Sequence, residues 1–191
     1  MEEFNVYLKN IDQNFLKDIC MREGKFALYN KNEYFSTIGQ PSSYVGFVKK
    51  GAFKYVCFNS SESKNYNVGF AFADEFIGDY PTCLYQTSFE ISIQAMTHCE
   101  VYLFESEKLE FYFNQNIETQ KKARTIAEQL FIQTYSRFLD TYQKTPEEQY
   151  KELLQRCPKI LQIISLKDLS SYLKITPVHM SRIRRKITFI E

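Results

Sequence analysis

The sequence predicts an α+β protein: a β sandwich or barrel over residues 1–115, one long helix over 116–142, and a helix-turn-helix over 143–191. Three observations predict it. Residues 25–105 break into short runs rich in aromatic and β-branched residues, separated by polar turns. Residues 116–142 contain neither Gly nor Pro and repeat apolar residues at steps of three and four. A basic segment near the end opens on Thr176-Pro177, which supplies a helix cap and a residue suited to the first helical position.

The chain starts on a short helix, because Phe15-Leu16-Lys17-Asp18-Ile19-Cys20 has helical spacing. Strands are expected at 44–48, 52–58, 66–70, 89–93 and 101–104, with turns at Lys49-Lys50-Gly51 and over 59–65. Near residue 107 the pattern changes. Ala123, Ile126, Ala127, Leu130, Phe131, Tyr135, Phe138 and Leu139 then form a stripe wider than a helix capping one sheet needs. The excess suggests burial on two sides, against the β domain and against a second copy through Ala127, Leu130, Phe131, Thr134 and Phe138. A helix packed within one monomer is the competing reading. Thr145-Pro146-Glu147-Glu148 reads as a capping box with Pro at the first helical position, opening a helix that runs to about Gln155.

Composition is that of a soluble globular protein, with 44% hydrophobic and 25% charged residues. No apolar run approaches the roughly 20 residues that span a bilayer, so no membrane partner is expected. Met1-Glu2-Glu3-Phe4-Asn5 lacks the basic and apolar regions of a secretory signal, and a cytoplasmic location is expected. The five cysteines are irregularly spaced without a C-x-x-C pair, which suits buried reduced thiols rather than zinc or iron–sulfur ligands. His98 and His179 are the only histidines. An enzyme on a β roll, such as a cupin-type oxygenase, lacks its ligand cluster, and a haem sensor has only these two to draw on. No catalytic residue, metal or cofactor is expected.

Residues 159–191 carry seven Lys and Arg against two acidic residues, on an otherwise acidic chain. Such a basic end is the footprint of a part that meets a polyanion. Within it, 166–173 reads as a short helix and Lys174-Ile175 as a tight break. On the helix begun by Thr176, Met180, Ile183 and Ile187 share one face. At about 100° per residue, Val178, Arg182 and Arg185 lie opposite, flanked by Ser181 and Lys186. An apolar back and a basic front suit a recognition helix in a major groove of double-stranded DNA. Thr176, Val178, His179, Ser181, Arg182, Arg185 and Lys186 are the candidate DNA contacts. Arg can pair with guanine, while Ser and Lys can hold phosphates.

The stretches 145–154 and 167–184, with weaker support from Gly51 and from Glu75-Phe76-Ile77-Gly78-Asp79, resemble the Crp/Fnr family of bacterial transcription regulators. The resemblance covers nearly the whole chain. It implies a cyclic-nucleotide-binding-like jelly roll, a dimerisation helix and a C-terminal winged helix-turn-helix. It also implies a homodimer on a palindromic operator, with RNA polymerase as a further candidate partner. Arg182 falls on the family's base-contacting arginine. Lys174 stands where the turn usually has Gly, so it must adopt a positive φ or the turn must differ. Pro177 and Val178 replace polar base-reading residues of the best-known member. Five residues follow Lys186, too few for the usual wing hairpin.

In members that bind cyclic AMP, a Glu after a Gly holds the ribose, and an Arg and a Ser hold the phosphate. Here Glu75 follows Asp74, and the Arg and Ser positions fall on Phe89 and Glu90. A buried phosphate without a cation is costly, so cyclic AMP is not expected to bind. Glu75, Phe76, Ile77, Gly78, Phe89 and Glu90 are the candidate effector pocket, and Tyr80 and Tyr85 are candidates for its apolar lining. The competing reading is that these aromatics only fill the roll. The alternative for the whole chain is a ligand- or partner-binding roll whose C-terminal helices contact protein, against which Arg182, Arg184 and Arg185 on a Pro-started helix speak.

Overall fold

A computed structural model describes residues 4–41, 43–85 and 87–188. A 3-10 turn at Val6–Asn10 and helix α1 (Asn14–Glu23) precede the strands β1 (Lys25–Tyr29), β2 (Tyr34–Ser36), β3 (Tyr44–Lys50), β4 (Ala52–Asn59), β5 (Lys64–Phe72) and β6 (Phe76–Ile77). Helix α2 (Tyr80–Tyr85) then leads to β7 (Ser92–Ala95) and β8 (Cys99–Glu105). The remainder is helical: α3 (Ser106–Phe113), α4 (Ile117–Gln143), α5 (Pro146–Arg156), α6 (Ile160–Ile163), α7 (Leu166–Tyr172) and α8 (Pro177–Thr188).

The strands form two antiparallel four-stranded sheets, β1-β8-β3-β6 and β2-β7-β4-β5, the two layers of a jelly roll. The expected sandwich or barrel is therefore a roll, with the family-like architecture that the resemblance implies. At Gly51, φ +99°, the chain turns from β3 in one sheet to β4 in the other. A Cβ there would lie 2.5 Å from Cys99 Sγ, so both the angle and the space require glycine. The strand expected at 89–93 starts instead at Ser92. Phe89 belongs to a loop whose backbone bonds to Gln40 and Gly39 rather than to a sheet ladder.

Side-chain alternation explains the packing. In β3, Val48 points between the sheets to Phe53, Ala71, Ile93 and Val101, while Phe47 joins a cluster with Leu16, Ile19, Leu109 and Phe113 of α1 and α3. That strand is buried on both faces. A third cluster runs from Phe4, Ala52, Phe70 and Phe72 into Tyr150, Leu153, Leu169, Met180 and Ile183, so the C-terminal helices share a core with the roll. Among the described residues no disulfide joins the five cysteines, of which four are buried and Cys57 is half-buried. Among the described residues no helix is long and apolar enough to cross a membrane.

Two helices open on reciprocal capping boxes, the one at Thr145 expected from the sequence and the one at Asn116 not. Asn116 caps α4 in a reciprocal box with Thr119. Thr145 caps α5 with Glu148, and Pro146 occupies the first turn. Three short helices, α2, α3 and α6, are not anticipated by the sequence as separate elements.

Candidate nucleic-acid interface

The turn between α7 and α8 is built by backbone hydrogen bonds. Ile175 N–H donates to Ser170 O at 3.0 Å and Lys174 N–H to Ser171 O at 3.2 Å, the paired pattern that closes a helix with a left-handed residue. Lys174 is that residue, at φ +55°, so a lysine accepts the angle that favours glycine. Thr176 Oγ1 then accepts from His179 N–H at 3.1 Å and caps α8, with Pro177 first in the helix.

The two faces of α8 separate as the sequence expects. Met180 and Ile183 are buried and Ile187 is half-buried against the same cluster. Thr176, Val178, His179, Arg182, Arg184, Arg185 and Lys186 are exposed. Two expected contacts are already engaged. Ser181 is half-buried and its hydroxyl donates to Pro177 O at 3.0 Å, which leaves only its lone pairs for a ligand. Lys186 Nζ lies 2.8 Å from Glu147 on α5, which also takes Lys151 at 2.8 Å. Hydrogen bonds from Lys151 and then Lys186 hold the Glu147 carboxyl down at about 2. The α8 helix extends through Thr188, and the expectation about a wing lies on residues 189–191, outside the described residues.

Helix α4 buries only Thr119 fully. Ala127 is half-buried, and Thr134 is exposed. Phe131 is 67% exposed and Phe138 55%. Phe131 stacks on Tyr135 at 5.8 Å and Phe138 meets Tyr142 edge-on at 5.2 Å, giving an aromatic ridge at steps of four, three and four. Leu130, also expected in the interface, is half-buried and lines a cavity of its own chain.

That cavity, of about 140 Å³, lies where α1, the roll, α3 and α4 meet. Phe76, Ile77, Gly78 and Tyr80 line it, with Tyr55, Cys83 and Ile126. Glu75, Phe89 and Glu90 do not belong to this lining, which corrects the expected pocket. Glu75 is buried facing the N-terminal segment, where it accepts from Asn5 Nδ2 at 2.7 Å and from Phe72 N–H at 3.1 Å. Burial pushes its carboxyl up to about 7, against these hydrogen bonds and the Arg137 charge. Phe89 is buried in its loop, Glu90 is exposed, and Tyr85 is 77% exposed. The amide oxygen of Gln13, which also lines the cavity, is buried without a hydrogen-bond partner among the described residues.

Solved structures share this arrangement. FixK2 from Bradyrhizobium japonicum superimposes with a TM-score of 0.74 at 20% identity, over 87% of this chain and 85% of that one. A transcriptional regulator assigned to the Crp/Fnr family, from Eubacterium rectale, gives 0.65 at 10% identity over 96% and 87%. The chain has the Crp/Fnr fold. The c-di-GMP-responsive global regulator CLP of Xanthomonas campestris also shares that fold, at TM-score 0.65 and 16% identity over 93% and 92%. No protein-family model and no curated protein matches the sequence. Sequence reasoning missed Phe4, Asn5, Asn67 and Asp168, which join the Crp/Fnr-like roll to the helix-turn-helix. Their partners lie too far away in sequence to leave a local signal.

Proposed function

We propose that this chain is a sequence-specific, DNA-binding transcription regulator, a non-enzyme that acts in the cytoplasm as a homodimer on a palindromic double-stranded site. The observation that carries the reading is α8: a capped helix with Met180 and Ile183 buried and Arg182, Arg184 and Arg185 on its exposed surface. Arg182 takes the base-reading role, because Val178, Arg182 and Arg185 centre the exposed face, whereas Arg184 lies to its side. The aromatic ridge of α4 is the dimer seam, which would hold two recognition helices about one DNA turn apart. RNA polymerase is a further partner by resemblance alone.

The roll is read as an effector-sensing domain that does not take cyclic AMP and needs no cofactor. Among the described residues none that lines the 140 Å³ cavity is cationic, so a buried phosphate would lack a counter-charge. The test is binding of the full chain, Arg182→Ala and Arg184→Ala to a selected operator and to a scrambled duplex at two salt concentrations. Losing a bidentate guanine contact costs about 1–3 kcal/mol of discrimination, whereas losing a phosphate contact weakens all sequences alike. Arg182→Ala should flatten the preference for the operator and Arg184→Ala should keep it. Equal loss on both duplexes for Arg182→Ala would remove Arg182 from base reading.

A further inference from the structure

The helix-turn-helix is keyed into the roll rather than hung from it. Strand β5 slips register against β4 between Tyr55 and Val56, where Tyr55 faces Gly69 but Val56 faces Asn67. The extra residue is a bulge, and a bulge re-aims its neighbours. Asn67 N–H leaves the ladder and donates to Ser171 Oγ of α7 at 3.0 Å. Its side-chain amide donates to Asp168 O at 3.1 Å and to Asp168 Oδ1 at 3.0 Å. Lys54 Nζ of β4 reaches the same carboxylate oxygen at 3.0 Å. Burial raises the Asp168 pKa, but hydrogen bonds from Ser165, Lys54 and Asn67 outweigh it and hold the carboxyl below its ordinary range.

A second contact closes the same joint from the N-terminal side. Phe4 is 1% exposed. It meets Phe70 and Phe72 of the roll edge-on at 5.4 and 5.9 Å and the Tyr172 ring of α7 at 5.4 Å. The guanidinium groups of Arg137 and Arg156 sit over it at 5.2 and 5.9 Å. Behind it, Asn5 donates to Phe70 O and accepts from Arg137 at 3.1 Å. The wedge therefore touches the roll, α4, α5 and α7 together. Met180 and Ile183, the back of α8, belong to the same buried cluster as Phe4.

We infer that Asn67, Asp168 and Phe4 are positioning residues for recognition: they fix the angle of α8 on the roll and so set the half-site spacing the dimer accepts. The inference rests on the DNA-binding reading above. With a loose tether, each helix could follow its half-site over several spacings. With a keyed joint, one added base pair rotates the second half-site by roughly a tenth of a turn and takes it out of reach.

The experiment measures binding of the full-length chain to duplexes carrying two half-sites at a series of spacings. Wild type should prefer one spacing, with a loss of about tenfold one base pair away, the size of one lost base contact. Asp168→Ala and Asn67→Ala should flatten that profile, and Lys54→Met, which leaves both hydrogen-bonded groups in place, should flatten it less. Calorimetry without DNA keeps the test open if a variant folds poorly. Wild type should unfold in one transition, and Phe4→Ala should separate the roll from the helix-turn-helix. Identical spacing profiles in folded variants, or two transitions in wild type, overturn this inference alone. No binding to any duplex by wild type overturns the DNA reading itself.

Discussion

Lys174 shows how a single backbone angle carries the motif. The two hydrogen bonds that end α7 need a left-handed residue, and Lys174 supplies it at φ +55°. For a residue with a Cβ that conformation costs about 1–2 kcal/mol, while glycine loses about 0.5–1 kcal/mol in backbone entropy. Lys174→Gly should therefore stabilise the chain by about 0.5–1 kcal/mol, raising Tm by roughly 1–4 °C at this size. Thermal unfolding checks this, and a lower Tm for the glycine variant would mean that the lysine stem contributes more than the angle costs. The conflict between residue and angle was legible in the sequence, because the Thr176-Pro177 start fixed where the turn had to fall. Its resolution was not, since the same residues also allow a different turn.

At the scale of elements, legibility followed locality. The α5 start is written in four consecutive residues, and α8 in its spacing, so both were readable. Short α2 and α6 hold too few residues for a period to emerge. Helix α4 shows a different limit. Its apolar stripe was visible, but a period cannot say which residues face the same chain and which face another. Leu130 turns to the internal cavity, while Phe131 and Phe138 remain 67% and 55% exposed. The proposed dimer seam rests on this exposed aromatic ridge, which exceeds the single exposed apolar residues usual on a surface. Phe131→Asp and Phe138→Asp should each shift the chain from dimer to monomer, because a charge would be buried in the seam. Light scattering at micromolar concentration reads the outcome. A wild-type monomer under those conditions would remove α4 as a dimer seam.

A buried carboxylate that no local pattern announced sits beside the joint of the whole molecule. Glu75 stood out in the sequence only as part of a candidate pocket. Its real neighbours, Asn5 at 2.7 Å and the Phe72 N–H at 3.1 Å, with Arg137 acting from α4, place it beside the wedge that joins roll and helix-turn-helix. Burial lifts its pKa from an ordinary 4.5 to about 7. In the unfolded chain the carboxyl ionises near its ordinary value, but in the folded chain it resists ionisation until about neutral pH. The folded state therefore binds the extra proton between these values. Its contribution is full below about 4.5 and is lost as pH rises through about 7, a decline of up to about 3 kcal/mol. Glu147, held near 2 by Lys151 and Lys186, changes stability in the opposite sense and only in acid, so it drops out of a window from about pH 5 to 8. Burial also raises the Asp79 carboxyl, but that group is common to wild type and a Glu75 variant and cancels in their difference. Glu75→Gln keeps an acceptor for Asn5 and for the backbone of Phe72 but cannot ionise. Denaturant unfolding across that window should show wild type losing stability with rising pH and the glutamine variant staying nearly flat, the two diverging most at pH 8. Parallel pH profiles would mean that the carboxylate at the joint is already ionised in the folded protein at pH 5.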